Sequence, residues 1–192
     1  MFPVVRTPSG VPILVHWSVP AIALFLLGVG VEHFVTAMAA VCSYLALLVI
    51  HEVGHQIAAE GCGLRVLSIR IYPIHGTCTF EHARSRYHEA LIAWGGPAAQ
   101  IIVAIPLMVV LYFIGYSRFQ PINAVLAILG FFSPAIALFN LLPIPPLDGK
   151  KAWAIVPLTV NRVWRRRRTQ PEPTALEALQ ETVRKASGRP GA

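Results

Sequence analysis

Charge is what this 192-residue sequence has least of: Asp, Glu, Lys and Arg together make 13% of it, and only 9 residues are acidic. A soluble domain of this length carries roughly twice that share, so a conventional soluble globular chain is excluded. Cysteine is scarce too. Cys42, Cys62 and Cys78 are odd in number and form no C-x-x-C pair, which removes a disulfide framework and a cysteine zinc knot. The N-terminus lacks the marks of a cleavable signal: Arg6 alone precedes the first apolar run, Pro12 and Pro20 interrupt it, and no small-residue cleavage site follows. Internal repeats and long low-complexity tracts are also missing.

What is present is apolar. Hydrophobic residues make 55% of the chain and the mean hydropathy is +0.61. Four long apolar segments stand out, from Val11 to Val31, Val35 to Ala59, Ala90 to Tyr116 and Ile122 to Leu142. Each has about the 20 residues needed to cross a hydrocarbon core as a helix, the form in which a backbone satisfies itself in lipid. The expectation is an all-α polytopic membrane protein with about four transmembrane helices, embedded in a lipid bilayer. Under that count Arg118 is the one cation among 16 Lys and Arg that falls on the far side. Cytoplasmic loops collect cations, so both termini are expected in the cytoplasm, with a bacterial or archaeal cell membrane as the setting. The net charge of +7 and the run Arg165 to Arg168 then mark an anionic leaflet rather than nucleic acid.

Between the second and third segments, Leu67, Ile69 and Ile71 alternate with Ser68, Arg70 and Tyr72. This period of two, followed by Pro73, Gly76 and Thr77 to Phe80, predicts a short membrane-associated β-hairpin. It either caps the helices or offers an edge to an extended substrate. The chain divides into a membrane domain over residues 1–160 and a basic cytoplasmic tail over 161–192. Pro171 and Pro173 open an extended linker in the tail, and Ala175 to Ala186 forms a short helix with Leu176, Leu179 and Val183 on one stripe.

The second segment contains His51-Glu52-Val53-Gly54-His55. Four residues turn a helix by about 400°, which stacks His51 over His55 on one face. Two imidazoles so placed suit one tetrahedral zinc, and Glu52 between them can take a proton from a water. Ionisable groups within an apolar span are costly, at least ~2.5–3.5 kcal/mol for a carboxylate, and so mark a function. A third ligand is offered by Asp148. It follows Asn140-Leu-Leu-Pro143-Ile-Pro145-Pro146-Leu, where the prolines end the fourth helix. Two spans of opposite direction return Asp148 to the side of His51 and His55. Irregular backbone at this depth needs protein or a watery cavity around it, and hydrolysis needs water.

These residues carry a resemblance. The H-E-x-x-H in an apolar helix, the Asn140 to Gly149 run with Leu147-Asp148-Gly149, and Gly95-Gly96-Pro97-Ala98 between them resemble the site-2 protease family of intramembrane zinc metalloproteases. The resemblance implies Zn2+ held by His51, His55 and Asp148, with Glu52 as general base. It places Asn140, Pro143, Pro145, Gly95, Gly96 and Pro97 on the substrate side, although small residues and proline also serve helix packing. Substrates would be transmembrane proteins. The span resembles a minimal core without PDZ or CBS domains, which favours regulation by a membrane partner. His75, where many members have glycine, departs from the pattern and is either a surface histidine or a regulatory ligand. His16, His82 and His88 are read as non-catalytic. Two rival readings are a membrane metal transporter, which needs ligands on a path to both faces, and a proteolytically inactive scaffold, against which the retained Glu52 argues.

Overall fold

The computed structural model describes residues 1–168 and 175–187. Two compact units divide it, Met1–Ile155 and Val156–Ala192. The linker expected around Pro171 and Pro173 lies outside the described residues, as does Arg189. The second unit contains α7 (Ile155–Arg168) and α8 (Ala175–Ala186), the latter where the Leu-Val stripe predicts a helix.

Three helices of the first unit are long and apolar enough to cross a membrane: Val31–Gly61, Arg86–Ile114 and Gln120–Asn140. The first comprises a 3-10 turn and α2 (Phe34–Gly61); the second is α3 (Arg86–Ile114). The third runs through α4 (Gln120–Val125), a π-helical stretch (Leu126–Phe132) and α5 (Ser133–Asn140). Pro134 explains the wide turns: without an N–H it cannot bond the carbonyl of Gly130, and the helix before it relaxes to longer spacing.

The first apolar segment behaves differently from its expectation as a full span. Residues Pro12–Val15 form a strand, β2, and the helix α1 occupies only Ser18–Val29. Twelve residues rise about 18 Å, short of the ~30 Å hydrocarbon core. Pro12 suits a strand start better than a helix interior, and at the late beginning of the helix the Ser18 N–H donates to His16 Nδ1 at 3.3 Å.

The fold is therefore mostly helical with a small sheet, rather than all-α. The expected hairpin is present as β3 (Val66–Ile71) and β4 (Gly76–Phe80), antiparallel. It is half of a four-stranded sheet in the order β1-β2-β3-β4, with β1 at Phe2–Arg6. β2 runs parallel to β3 with Ile13 opposite Ile69, so α1 and α2 form the crossover between them. The alternation in β3 is broken by a register shift between Val66 and Ser68: Val66, Ser68, Ile69 and Ile71 are buried while Leu67 and Arg70 face out.

The buried face of this sheet packs on α2. Ile69, Ile71, Ile13, Val66, Leu47 and Ala59 share one core cluster. A buried polar clasp adds to it: the Gln56 side-chain amide donates to Thr7 Oγ1 at 3.0 Å and to Glu60 Oε1 at 2.8 Å, tying the β1–β2 turn to α2. The packing fixes the metal-motif end of α2 against the sheet.

Candidate metal centre

His51, Glu52 and His55 are all buried on α2. Each imidazole is held from behind. His55 Nδ1 donates to the backbone carbonyl of Ile92 at 2.8 Å, and His51 Nδ1 donates to Gln100 Oε1 at 2.9 Å. With the protons on both Nδ1 atoms, both Nε2 lone pairs face inward.

They face Asp148. Its Oδ2 stands 3.1 Å from His51 Nε2 and 3.3 Å from His55 Nε2, and the two Nε2 atoms are 3.0 Å apart. Three acceptors this close repel unless a proton or a cation lies among them. Ligand atoms ~2.0–2.1 Å from a tetrahedral zinc are roughly 3.3–3.4 Å from one another. The triangle thus has nearly the edge that such a metal requires, and the donor set of two imidazoles and a carboxylate is one that catalytic zinc uses. Among the described residues this is the one such group of His, Cys, Asp or Glu whose ligand atoms lie within 4.8 Å of one another.

Burial pushes the Asp148 carboxyl upward, but the side-chain contacts with His51 and His55 and their charges outweigh it and hold it well below the usual carboxylate range. Its position depends on α3. The Trp94 indole donates to the Ala152 carbonyl at 3.1 Å, and the Trp153 indole donates to the Leu141 carbonyl at 2.6 Å. The two rings meet edge to face at 5.7 Å. Together they clamp the segment from Leu141 to α6 (Gly149–Ala152) that presents Asp148.

Close helix approach supplies the rest of the geometry. Gly54, inside the metal motif, lies against the Gly95 backbone, and a Cβ added at Gly54 would also meet the Ala99 methyl at 2.7 Å. A Cβ on Gly96 would stand 2.6 Å from His55 Nε2 and 2.8 Å from His51 Nε2. Gly76, at the start of β4, leaves room in the same way for the Glu52 carboxyl, whose Cδ would be 2.6 Å from an added Cβ.

A cavity of about 900 Å³ opens onto His51, Glu52, His55 and Asp148. Asn140 lines it, together with Gly76 and Cys78 of β4. Pro143 and Pro145 are exposed outside that lining, Gly95 and Gly96 sit in the helix contact, and Pro97 is fully buried within α3. His75 also lines the cavity, but its exposed ring stacks on Tyr72 at 4.7 Å and is not one of the three metal-ligand candidates. Burial, followed by the charges of Glu52 and Glu60, pushes the Cys78 thiol up to about 12, so it faces the cavity as a neutral thiol.

Residues 39–124 match peptidase family M50. The fold matches a site-2 protease from Methanocaldococcus jannaschii with a TM-score of 0.64 and 23% identity, over 79% of this chain and 69% of that one. The chain is thus similar to peptidase family M50 in sequence and to a site-2 protease in fold. A protein of Synechocystis sp. named as a zinc metalloprotease is 34% identical over 107 residues, and a zinc metalloprotease of M. jannaschii is 27% identical over 145. These alignments take in 54% and 73% of this chain, and the chain spans only 27% and 41% of the length of those two relatives.

The sequence alone points to the three ligand candidates and Glu52 but not to their supports. Gln100, Trp94, Trp153 and Gly76 carry no metal-site motif. Gln100 alone left a signal, as an amide within an apolar helix, where a polar side chain needs a partner.

Proposed function

We propose that this chain is a membrane zinc metalloprotease that hydrolyses peptide bonds of transmembrane proteins. The convergence of His51, His55 and Asp148 beside Glu52, on one cavity, carries this reading. Zn2+ held by these three residues, when bound, supplies a Lewis acid that lowers the pKa of a water toward ~7. Glu52 takes the proton of the attacking water and returns it to the leaving amine. Its Oε2 is buried and without a hydrogen-bond partner among the described residues, so it is open to receive that proton. The Asn140 amide, on the same cavity, donates to the substrate carbonyl as negative charge develops. Gly95, Gly96 and Pro97 act through packing and leave substrate contact to Asn140.

A substrate helix hides its amides in its own hydrogen bonds, so it unwinds before attack. β4 is an edge strand and borders the cavity, which supports its pairing with the unwound stretch. The orientation follows from charge. Arg65, Arg70, Arg84, Lys150 and Lys151 lie near the metal-site ends of the long helices, and Arg118 lies beyond the opposite end of α3. The site then faces the cytoplasm. Pairing of β2 with β3 supports the N-terminus on that same side, with α1 and the start of α2 dipping in and returning. The membrane domain, residues 1–160, carries the activity, and the basic tail from 161 meets the anionic leaflet.

The test is Glu52→Gln in the purified full chain. We expect it to retain zinc, to lose cleavage, and to trap uncut membrane proteins that the wild type then cleaves. Wild-type protein without zinc, or cleavage by Glu52→Gln at the wild-type rate, overturns the reading. Zinc flux through liposomes bearing the wild type would favour a transporter instead.

A further inference from the structure

The two imidazoles are oriented by different kinds of acceptor. His55 Nδ1 rests on a backbone carbonyl, that of Ile92. His51 Nδ1 rests on a side chain, Gln100, at 2.9 Å, and that side chain is 0% exposed. A histidine ligand depends on what accepts its outer N–H, because that partner fixes the tautomer and the ring orientation. We propose that Gln100 is the positioning residue of the metal centre: its Oε1 holds the His51 proton on Nδ1 and so keeps the Nε2 lone pair turned to the metal.

Two observations favour this over simple filling of space. The other end of the amide, Nε2, is buried without a hydrogen-bond partner among the described residues. A buried donor left unpaired is unfavourable, and an apolar side chain of the same length would avoid it. The contact that offsets it is the one from Oε1 to His51. The charge balance explains why an amide stands where such partners are often carboxylates. One Zn2+ with the carboxylates of Asp148 and Glu52 sums to zero. A third carboxylate would leave the centre negative inside an apolar helix pair, where unbalanced charge is costly. Gln100 gives an acceptor without adding charge.

This rests on the reading of His51, His55 and Asp148 as zinc ligands, and the test separates the two. Zinc affinity is measured on the purified full chain by competition with a chromophoric chelator, and thermal unfolding is followed with and without zinc. Gln100→Met removes the acceptor and keeps the length; zinc affinity should fall about 10–100-fold. Gln100→Glu restores an acceptor; it should bind zinc at least as tightly as wild type, while its zinc-free form unfolds at a lower temperature. Gln100→Met with wild-type zinc affinity overturns the proposal. So does an equal loss in the two variants, which would mean that the amide only packs. If Gln100→Met fails to fold, Gln100→Glu decides alone: retention of zinc supports the role and loss refutes it. A wild type that binds no zinc removes the metalloprotease reading itself, an outcome distinct from failure at Gln100.

Discussion

His51 and His55 come from one continuous helix, whereas Asp148 comes from the irregular segment between α5 and α6. The helical pair is rigid by construction. Its spacing is set by backbone hydrogen bonds, its approach to α3 by Gly54 against Gly95, and its ring orientation by Ile92 and Gln100. The Asp148 arm has no such frame. It is interrupted by prolines, its carboxylate side chain is 27% exposed, and two indole N–H groups hold it to neighbouring backbone. One part of this centre is thus specified by local sequence and the other by tertiary clamps. Changes on the helix face should therefore act on the metal directly, and changes around the arm should act through position.

The largest effect is expected from Gly96→Ala. The new methyl would collide with both Nε2 atoms at once. Zinc affinity should fall by more than about 100-fold, beyond the range typical of outer partners. Retention of zinc near the wild-type level would show that the helices can part without cost. Asp148→Ala comes next. It removes one ligand and leaves the imidazole pair in place, so we expect a loss of about 100-fold, at the upper end of the range for outer partners. It also has a pH signature in zinc-free protein. The Asp148 carboxyl sits below its ordinary value in the folded chain. Its contribution to stability is therefore present above the ordinary carboxyl value near ~3.9 and lost as the pH falls below it. Unfolding midpoints of the chelated wild type should show that acid slope, and Asp148→Ala should flatten it.

The same contrast explains what was legible before the structure. The i, i+4 spacing of His51 and His55 is a property of any helix, and the β3–β4 hairpin is written in period two with Pro73 and Gly76 at its turn. Asp148 was reachable because parity of the helices and the helix-ending prolines bring it back. The N-terminal strands were not. Val11 to Val31 is apolar but for the interruption at His16, Trp17 and Ser18, and apolarity alone does not distinguish a strand buried on α2 from a helix in lipid. What decides is the pairing of Ile13 with Ile69, which is non-local. The π stretch before Pro134 and the roles of Trp94, Trp153, Gly76 and Gln100 depend on through-space contacts in the same way. A lone indole or glycine has no periodicity to betray its partner.

Smaller effects should separate the chemistry from the ligands. Gly76→Ala places a methyl against the Glu52 carboxyl, which supplies its three nearest atoms. Cleavage should fall about 10²-fold, the lower range of a general base's contribution, with zinc affinity within a few fold of wild type. A parallel loss of both would mean that β4 and the metal ligands move together. In that case the β4 edge would not be independent of the helix face.

The smallest effect tests the arm itself. Trp153→Phe keeps an aromatic ring opposite Trp94 but removes the N–H that bonds the Leu141 carbonyl. Leu141 is buried, so its carbonyl is left short of a partner, at a cost of about 1–3 kcal/mol. The unfolding midpoint should drop accordingly, and zinc affinity should fall only a few fold, since Asp148 becomes less fixed rather than lost. Trp94→Phe, which frees the Ala152 carbonyl instead, should do the same. Combining the two should give less than the sum of the singles, because losing either indole already loosens the segment that the other bond depends on. Strict additivity would show that the two bonds anchor separate pieces of chain, and the arm would then owe its position to the Asp148–imidazole contacts alone.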